Sequence, residues 1–177
     1  LETIEALIGQ YPDNQFLFIW DSIAATSSEK ELESDFNPQS TMSVKPRIFG
    51  KAFPKLTIPL ADGQHSLLLI NQLKTNINVQ NPMAALIEPY IAPGGKAIEY
   101  FCSLRIWLTK RKSKAAYVQD NTGLRIGSEV KCKLQKSRFG TEGRECTFKI
   151  LWSGTSAIQD EESWLTALKA SKTEFIR

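Results

Sequence analysis

Apolar residues in the first half of the chain come in short, separated groups. Over residues 3–10 they fall at Ile4, Leu7 and Ile8, the i, i+3, i+4 spacing of one helix face, and Tyr11-Pro12-Asp13-Asn14 ends that helix as a turn. Phe16-Leu17-Phe18-Ile19-Trp20 is an unbroken apolar run of strand length, closed by Asp21-Ser22. Unbroken runs belong to parallel strands covered on both faces, whereas strands with one wet face alternate. Residues 25–43 are rich in Ser, Thr, Glu, Asp and Asn with little period, and predict a mobile connection. A second helix is expected to start at Ser43-Val44-Lys45-Pro46 and to be limited by Pro54 and Pro59. Ser66-Leu67-Leu68-Leu69-Ile70-Asn71 reads as a second buried strand, ending in Asn71 and Gln72.

Residues 73–95 lack any period, contain Pro82, Pro89 and Pro93, and finish in Gly94-Gly95, which predicts a long loop of the functional or disordered kind. Beyond it the pattern switches to alternation. Leu104-Arg105-Ile106-Trp107-Leu108, Val130-Lys131-Cys132-Lys133-Leu134 and Cys146-Thr147-Phe148-Lys149-Ile150 predict half-exposed antiparallel strands, with turns at Asn121-Thr122-Gly123 and Gly140-Thr141-Glu142-Gly143. Residues 160–170 close the chain as a helix with Trp164, Leu165 and Leu168 on one face and three acids in its first turn. Two buried strands, each preceded by a helix-like segment, place the fold in the α/β class.

Composition agrees with one soluble domain: 177 residues, 42% hydrophobic and 23% charged. The apolar runs are far shorter than the roughly 18 residues of a membrane span, and no charged-then-apolar leader opens the sequence, so an intracellular protein is expected. The chain opens on Leu1 rather than Met, which is expected of a processed, trimmed or partly represented polypeptide. Charge is uneven. Residues 1–44 carry eight acids against Lys30 alone, and residues 105–149 carry twelve Lys and Arg against four acids. The basic half, with Lys110, Arg111, Lys112 and Lys114 at a strand end, favours a polyanion.

The residues limit the chemistry. Cys102, Cys132 and Cys146 show no C-x-x-C spacing and read as buried thiols, and the single His65 sits in a polar turn unsuited to a catalytic triad. Asp21, at the carboxyl end of a buried strand, is where open α/β sheets place ligand-binding groups and where nucleotide hydrolases hold the water shell of Mg²⁺. No G-x-x-x-x-G-K-[ST] phosphate loop occurs in the 177 residues.

In order along the chain, these segments resemble the RecA strand-exchange recombinases and their phage relatives of the UvsX type. Residues 16–25 look like the Walker B strand and its sequel, Leu68-Leu69-Ile70-Asn71-Gln72-Leu73 the strand ending in the Asn-Gln switch, and Pro93-Gly94-Gly95 with residues 96–105 the close of the second DNA loop. Lys136-Ser137-Arg138 resembles the family's basic pair and residues 148–154 its last core strand. The resemblance implies one partial RecA-like P-loop core domain over residues 1–177, with a mostly parallel sheet continuing into antiparallel strands. It implies ATP and Mg²⁺ as cofactors, with Asp21 and Ser22 on the metal through water, Gln72 sensing the terminal phosphate, and Trp152 near the adenine. Lys136 and Arg138 would reach ATP on a neighbouring subunit. Arg47, Lys74, Asn76, Ile77, Gly94 and Gly95 would line single-stranded DNA, with homologous duplex DNA and further copies in a helical filament or ring as the other partners.

The implied protein is a cytoplasmic, DNA-dependent ATPase of a bacterial or phage-infected cell, driving homologous pairing. Departures accompany the resemblance: without the phosphate loop and the catalytic Glu that follows it, hydrolysis by this chain alone should fail, and residues 27–55 match the first DNA loop poorly. A degenerate RecA-like binding or regulatory module without ATPase activity is the alternative. A hexameric helicase or circadian-type ATPase shares the Walker B strand but not the pairing of Asn71-Gln72 with Gly94-Gly95.

Overall fold

The computed structural model describes residues 1–33, 44–76, 83, 89–110, 113–152 and 157–170. The chain divides into two compact units, Leu1–Cys102 and Ser103–Arg177.

The first unit opens with helix α1 (Glu2–Gln10), as the spacing of Ile4, Leu7 and Ile8 requires. Strand β1 (Leu17–Asp21) pairs in parallel with β2 (Ser66–Ile70), from Leu17 opposite Ser66 to Asp21 opposite Ile70. A parallel pair needs a crossover, and its described residues include two helices, α2 (Glu29–Glu33) and α3 (Val44–Asp62). Helix α2 lies inside the stretch expected to be a mobile connection. Its start is a capping box: Glu31 N–H donates to Ser28 Oγ at 3.3 Å while Ser28 N–H donates back to Glu31 Oε2 at 2.7 Å.

Helix α3 runs through both Pro54 and Pro59 instead of being limited by them. The reason is the face it buries. Phe49, Phe53 and Leu56 are all buried, each contributing about 1.5–3 kcal/mol, which matches in size the roughly 3 kcal/mol that each interior proline costs. Phe49 and Phe53 stack with ring centroids 5.3 Å apart and join Ile23 and Ile98 in the core of the unit, with Trp20, Leu67 and Leu69 packed against it. Ile98 comes from α4 (Lys96–Phe101), a short helix that the sequence pattern did not indicate.

Expected coverage of β1 and β2 on both faces is not what the structure has. Phe18, Trp20, Leu67 and Leu69 are half-buried, but Leu17 and Ile19 are 64% and 60% exposed, and Leu68 and Ile70 are exposed beside them. The core cluster lies on one face of the pair, and no described element of this unit covers the other. The long loop also has structure at its base: β3 (Lys74–Thr75) pairs antiparallel with β4 (Tyr90–Ile91).

His65 fixes the start of β2. It is buried, its Nδ1 accepts from the Phe16 N–H at 3.2 Å, and its ring lies 5.4 Å from that of Phe16, a structural role.

The second unit is a five-stranded antiparallel sheet around β7 (Arg125–Ser137). β5 (Leu104–Lys110) and β6 (Tyr117–Gln119) pair with one edge of β7, β8 (Glu145–Leu151) with the other, and β9 (Ile158–Gln159) extends β8. At the β7–β8 turn Gly143, with φ 85°, forms a bulge: its N–H donates to Leu134 O and Leu134 N–H donates to Arg144 O, both at 2.9 Å. Leu104, Ile106 and Leu108 are exposed, whereas Arg105, Trp107 and Thr109 are half-buried, the reverse of the apolar-inward expectation. Helix α5 (Glu161–Ala170) is tied to β8 by the Lys149–Glu162 ion pair at 2.9 Å, and its Trp164, Leu165 and Leu168 are exposed.

The cysteines depart from the buried-thiol expectation. Cys102 and Cys132 are half-buried and Cys146 is exposed. Cys146 lies near the start of β8, on the part of that strand beyond the reach of β9, which pairs only with Lys149 and Ile150. No described helix is long and apolar enough to cross a membrane.

Candidate nucleotide and DNA site

The parallel pair ends with Asp21 and Ile70 opposite each other, so Asp21 and the residues following β2 share one carboxyl edge. Asp21 is exposed there. Ser22, joined to it by a cis peptide, is 7% exposed, and its Oγ accepts from the Ala25 N–H at 3.3 Å while its carbonyl accepts from the Thr26 hydroxyl at 2.9 Å. The Ile23 N–H then donates to Ile70 O at 3.0 Å, and the Trp20 indole to Thr26 Oγ1 at 2.8 Å. These bonds hold the turn after β1 against the end of β2 and leave the Asp21 carboxylate facing outward. Asp21 is the acid of this edge, and among the described residues no group of three or more His, Cys, Asp or Glu is placed to hold a metal ion directly. One outward carboxylate fits Mg²⁺ held through water and phosphate rather than in a protein cage.

Gln72 is exposed two residues beyond β2, and its N–H donates to Asn71 Oδ1 at 2.9 Å. The other end of the same amide, Asn71 Nδ2, donates to Pro93 O at 2.7 Å. Asn71 therefore fixes the backbone of Gln72 and the residue before Gly94 at once. The base of the loop follows: Lys74 is exposed and lies opposite Ile91, and the Asn76 N–H donates to Pro89 O at 2.9 Å.

Gly94 and Gly95 have φ of 107° and 80°, a region that L side chains rarely adopt. A Cβ on Gly94 would meet Ile98 and Phe49, and one on Gly95 would lie 2.9 Å from Pro46 Cβ. The space that glycine frees at this turn is thus filled by the protein's own α3 and α4. Arg47 is exposed in the first turn of α3, next to Pro46. Asp21, Ser22, Arg47, Gln72, Lys74, Asn76, Gly94 and Gly95 all belong to the first unit, and Ile77 lies outside the described residues, as do Arg111, Lys112, Ser153 and Gly154.

In the second unit Lys136 is half-buried opposite Arg105, which sets two cations side by side, and the Arg138 N–H donates to Ser103 O at 3.0 Å. Trp152 stands at the other end of β7, its N–H donating to Ile126 O at 2.9 Å. Ile126 and Lys136 are ten positions apart along β7, about 30 Å. Trp152 is 57% exposed rather than a core aromatic. Arg125 lies 4.9 Å from its ring and 3.7 Å from that of Tyr117, and Lys110 is 5.6 Å from Trp152. This cation–aromatic stack was not read from the sequence, because its members are far apart along the chain.

The chain matches the RecA N-terminal domain over residues 1–156. It belongs to the RecA family. Among its relatives, the RecA protein of Mycoplasma mycoides is 29% identical over 153 residues, 86% of this chain and 41% of that protein. The RecA protein of Chlamydia felis is 27% identical over 137 residues, 77% of this chain and 36% of that protein. That of Cereibacter sphaeroides is 28% identical over 152 residues, 86% and 40%. The chain thus spans about two fifths of the length of these RecA proteins, and its α/β architecture is that of part of a RecA-like fold.

Proposed function

We propose that this chain is the later part of the core of an ATP-dependent recombinase, which binds single-stranded DNA as a filament or ring and pairs it with homologous duplex in the cytoplasm. The observation that carries this is the shared edge of β1 and β2. Asp21 ends β1 at the edge from which Gln72 follows β2, and Asn71 links Gln72 to the base of the loop that closes at Gly94. The family match, over residues 1–156, covers the first unit and reaches into the second, which supports counting residues 1–177 as one incomplete core domain.

Asp21, with Ser22 beside it, would hold Mg²⁺ through water, and the bound ion would neutralise phosphate charge. Gln72 would contact the terminal phosphate and, through Asn71, bias the loop between two arrangements. Lys74, Asn76, Ile77 and Arg47 would contact single-stranded DNA around the turn at Gly94 and Gly95. Lys136 and Arg138 would meet the phosphates of ATP on a neighbouring copy, and Trp152 the adenine. The roughly 30 Å between the basic pair and Trp152 fits their serving different nucleotides.

The test is filter binding of a single-stranded oligonucleotide by the full-length gene product, with and without ATP and Mg²⁺. Retention should rise with ATP, and Asp21→Asn and Gln72→Ala should each remove that rise while basal binding persists. ATP-indifferent retention by the unaltered protein would overturn the proposal.

A further inference from the structure

Antiparallel pairing of β7 and β8 sets Cys132 directly opposite Cys146. The Leu134 N–H donates to Arg144 O two positions further along both strands, so the cysteines occupy a hydrogen-bonded position of the ladder. The Cα atoms of such a pair stand about 5.5 Å apart, which lies within the span of a disulfide. Both side chains project from the same sheet face. Their surroundings differ. Cys146 is exposed and opens on a groove lined by Phe148, Ile158, Asp160, Ser163 and Trp164, whereas Cys132 is half-buried and faces Leu108 on its other side.

We propose that Cys132 and Cys146 form a two-thiol redox site, at which a small-molecule disulfide of the glutathione class is reduced while the two cysteines join in a reversible cross-strand disulfide.

Exposure makes Cys146 the attacking group. Its thiolate displaces one thiolate from the small disulfide and is left as a mixed disulfide. Cys132 then attacks the Cys146 sulfur and releases the second small thiol. Two electrons pass from the protein to the small disulfide, and both thiol protons end on the released thiols or in solvent. Burial, and then the neighbouring Cys146, push the Cys132 thiol upward, which agrees with Cys146 as the first attacking group. The bond would staple the hairpin carrying Lys136 and Arg138, yet the redox site stands independently of any role for that pair.

The experiment treats the full-length protein with oxidised glutathione and maps its peptides by mass. The expected product is a linked Cys132–Cys146 peptide, lighter by two hydrogens than the reduced pair and restored by dithiothreitol. Cys132→Ser should instead retain a glutathione adduct on Cys146, and Cys132→Val, which also keeps the strand, should do the same. A persistent adduct on Cys146 of the unaltered protein, an intermolecular Cys146 bond, or no reaction at either cysteine would each overturn the proposal.

Discussion

Asn71 and Pro93 stand 22 positions apart in the chain, and a single 2.7 Å hydrogen bond from the Asn71 side-chain amide to the Pro93 carbonyl joins them. The bond closes the loop between β2 and α4 at its base, and the two short strands Lys74–Thr75 and Tyr90–Ile91 continue the closure outward. An amide suits this place because it donates and accepts at once, with Oδ1 turned to the Gln72 N–H and Nδ2 to Pro93.

Replacing Asn71 by Asp keeps the acceptor for Gln72 and removes the donor for Pro93. A half-buried bond of this kind contributes about 0.5–1.5 kcal/mol. Hydrogen exchange should accelerate at the Asn76 amide, which bonds Pro89 within the same closure, and stay unchanged at Phe18 and Trp20 in β1. Unaltered exchange at Asn76 in Asn71→Asp would show that the short ladder closes the loop without Asn71.

Gly94 and Gly123 separate two costs that glycine substitutions usually mix. Both have positive φ, 107° and 83°, but a Cβ on Gly94 would meet Ile98 and Phe49, whereas one on Gly123 would meet nothing within 4 Å. Gly123→Ala should therefore cost only the backbone strain of about 1 kcal/mol. Gly94→Ala should cost more, by roughly 1–3 kcal/mol for overpacking against the core of the first unit. Denaturant unfolding of both variants measures the difference, and equal losses would refute the close packing at Gly94.

Much of this site was legible along the sequence because its signals are local. An apolar run ending in Asp21, a second ending in Asn71-Gln72 and the pair Gly94-Gly95 each carry their meaning within a few residues, and the structure gathers them at one end of the first unit. What escaped reading depends on tertiary context. Prolines 54 and 59 argue for a broken helix until the burial of Phe49, Phe53 and Leu56 is weighed against them. Leu17 and Ile19 argue for a strand covered on both faces, a property of the neighbours and not of the strand itself. The stack of Tyr117, Arg125 and Trp152 joins three separate strand ends, so no window along the chain contains it. The Ser28-x-x-Glu31 capping box was readable, but the polar composition around it masked the signal.

That capping box gives a pH dependence with a definite sign. The Ser28 N–H, bonded at 2.7 Å, holds the Glu31 carboxyl below its ordinary value of 4.5, with the Ser28 hydroxyl and Lys45 lowering it further. A depressed folded-state value means that the carboxylate's contribution is fully present above about pH 4.5 and fades as pH falls through the lower folded value. Solvent around Glu31 screens the effect to a few tenths of a kcal/mol at most. In Glu31→Ala the Ser28 amide chemical shift should lose the titration that it shows below pH 4.5 in the unaltered protein. A titration that persists in the variant would place its source elsewhere.

Lys74 and Arg47 are exposed cations near the loop base in the first unit, one on β3 and one on the first turn of α3. If each neutralises a phosphate, removing one should lower the slope of log affinity against log salt for a single-stranded oligonucleotide by about 0.7. Lys74→Ala and Arg47→Ala should each weaken binding uniformly across base sequences, since phosphate contacts carry no sequence information. Lys51→Ala, on the same helix as Arg47 but a turn further on, serves as the control for plain charge loss. A salt slope that falls equally in all three variants would reduce the effect to net charge, whereas a fall confined to Lys74 and Arg47 would locate the strand at the base of the loop.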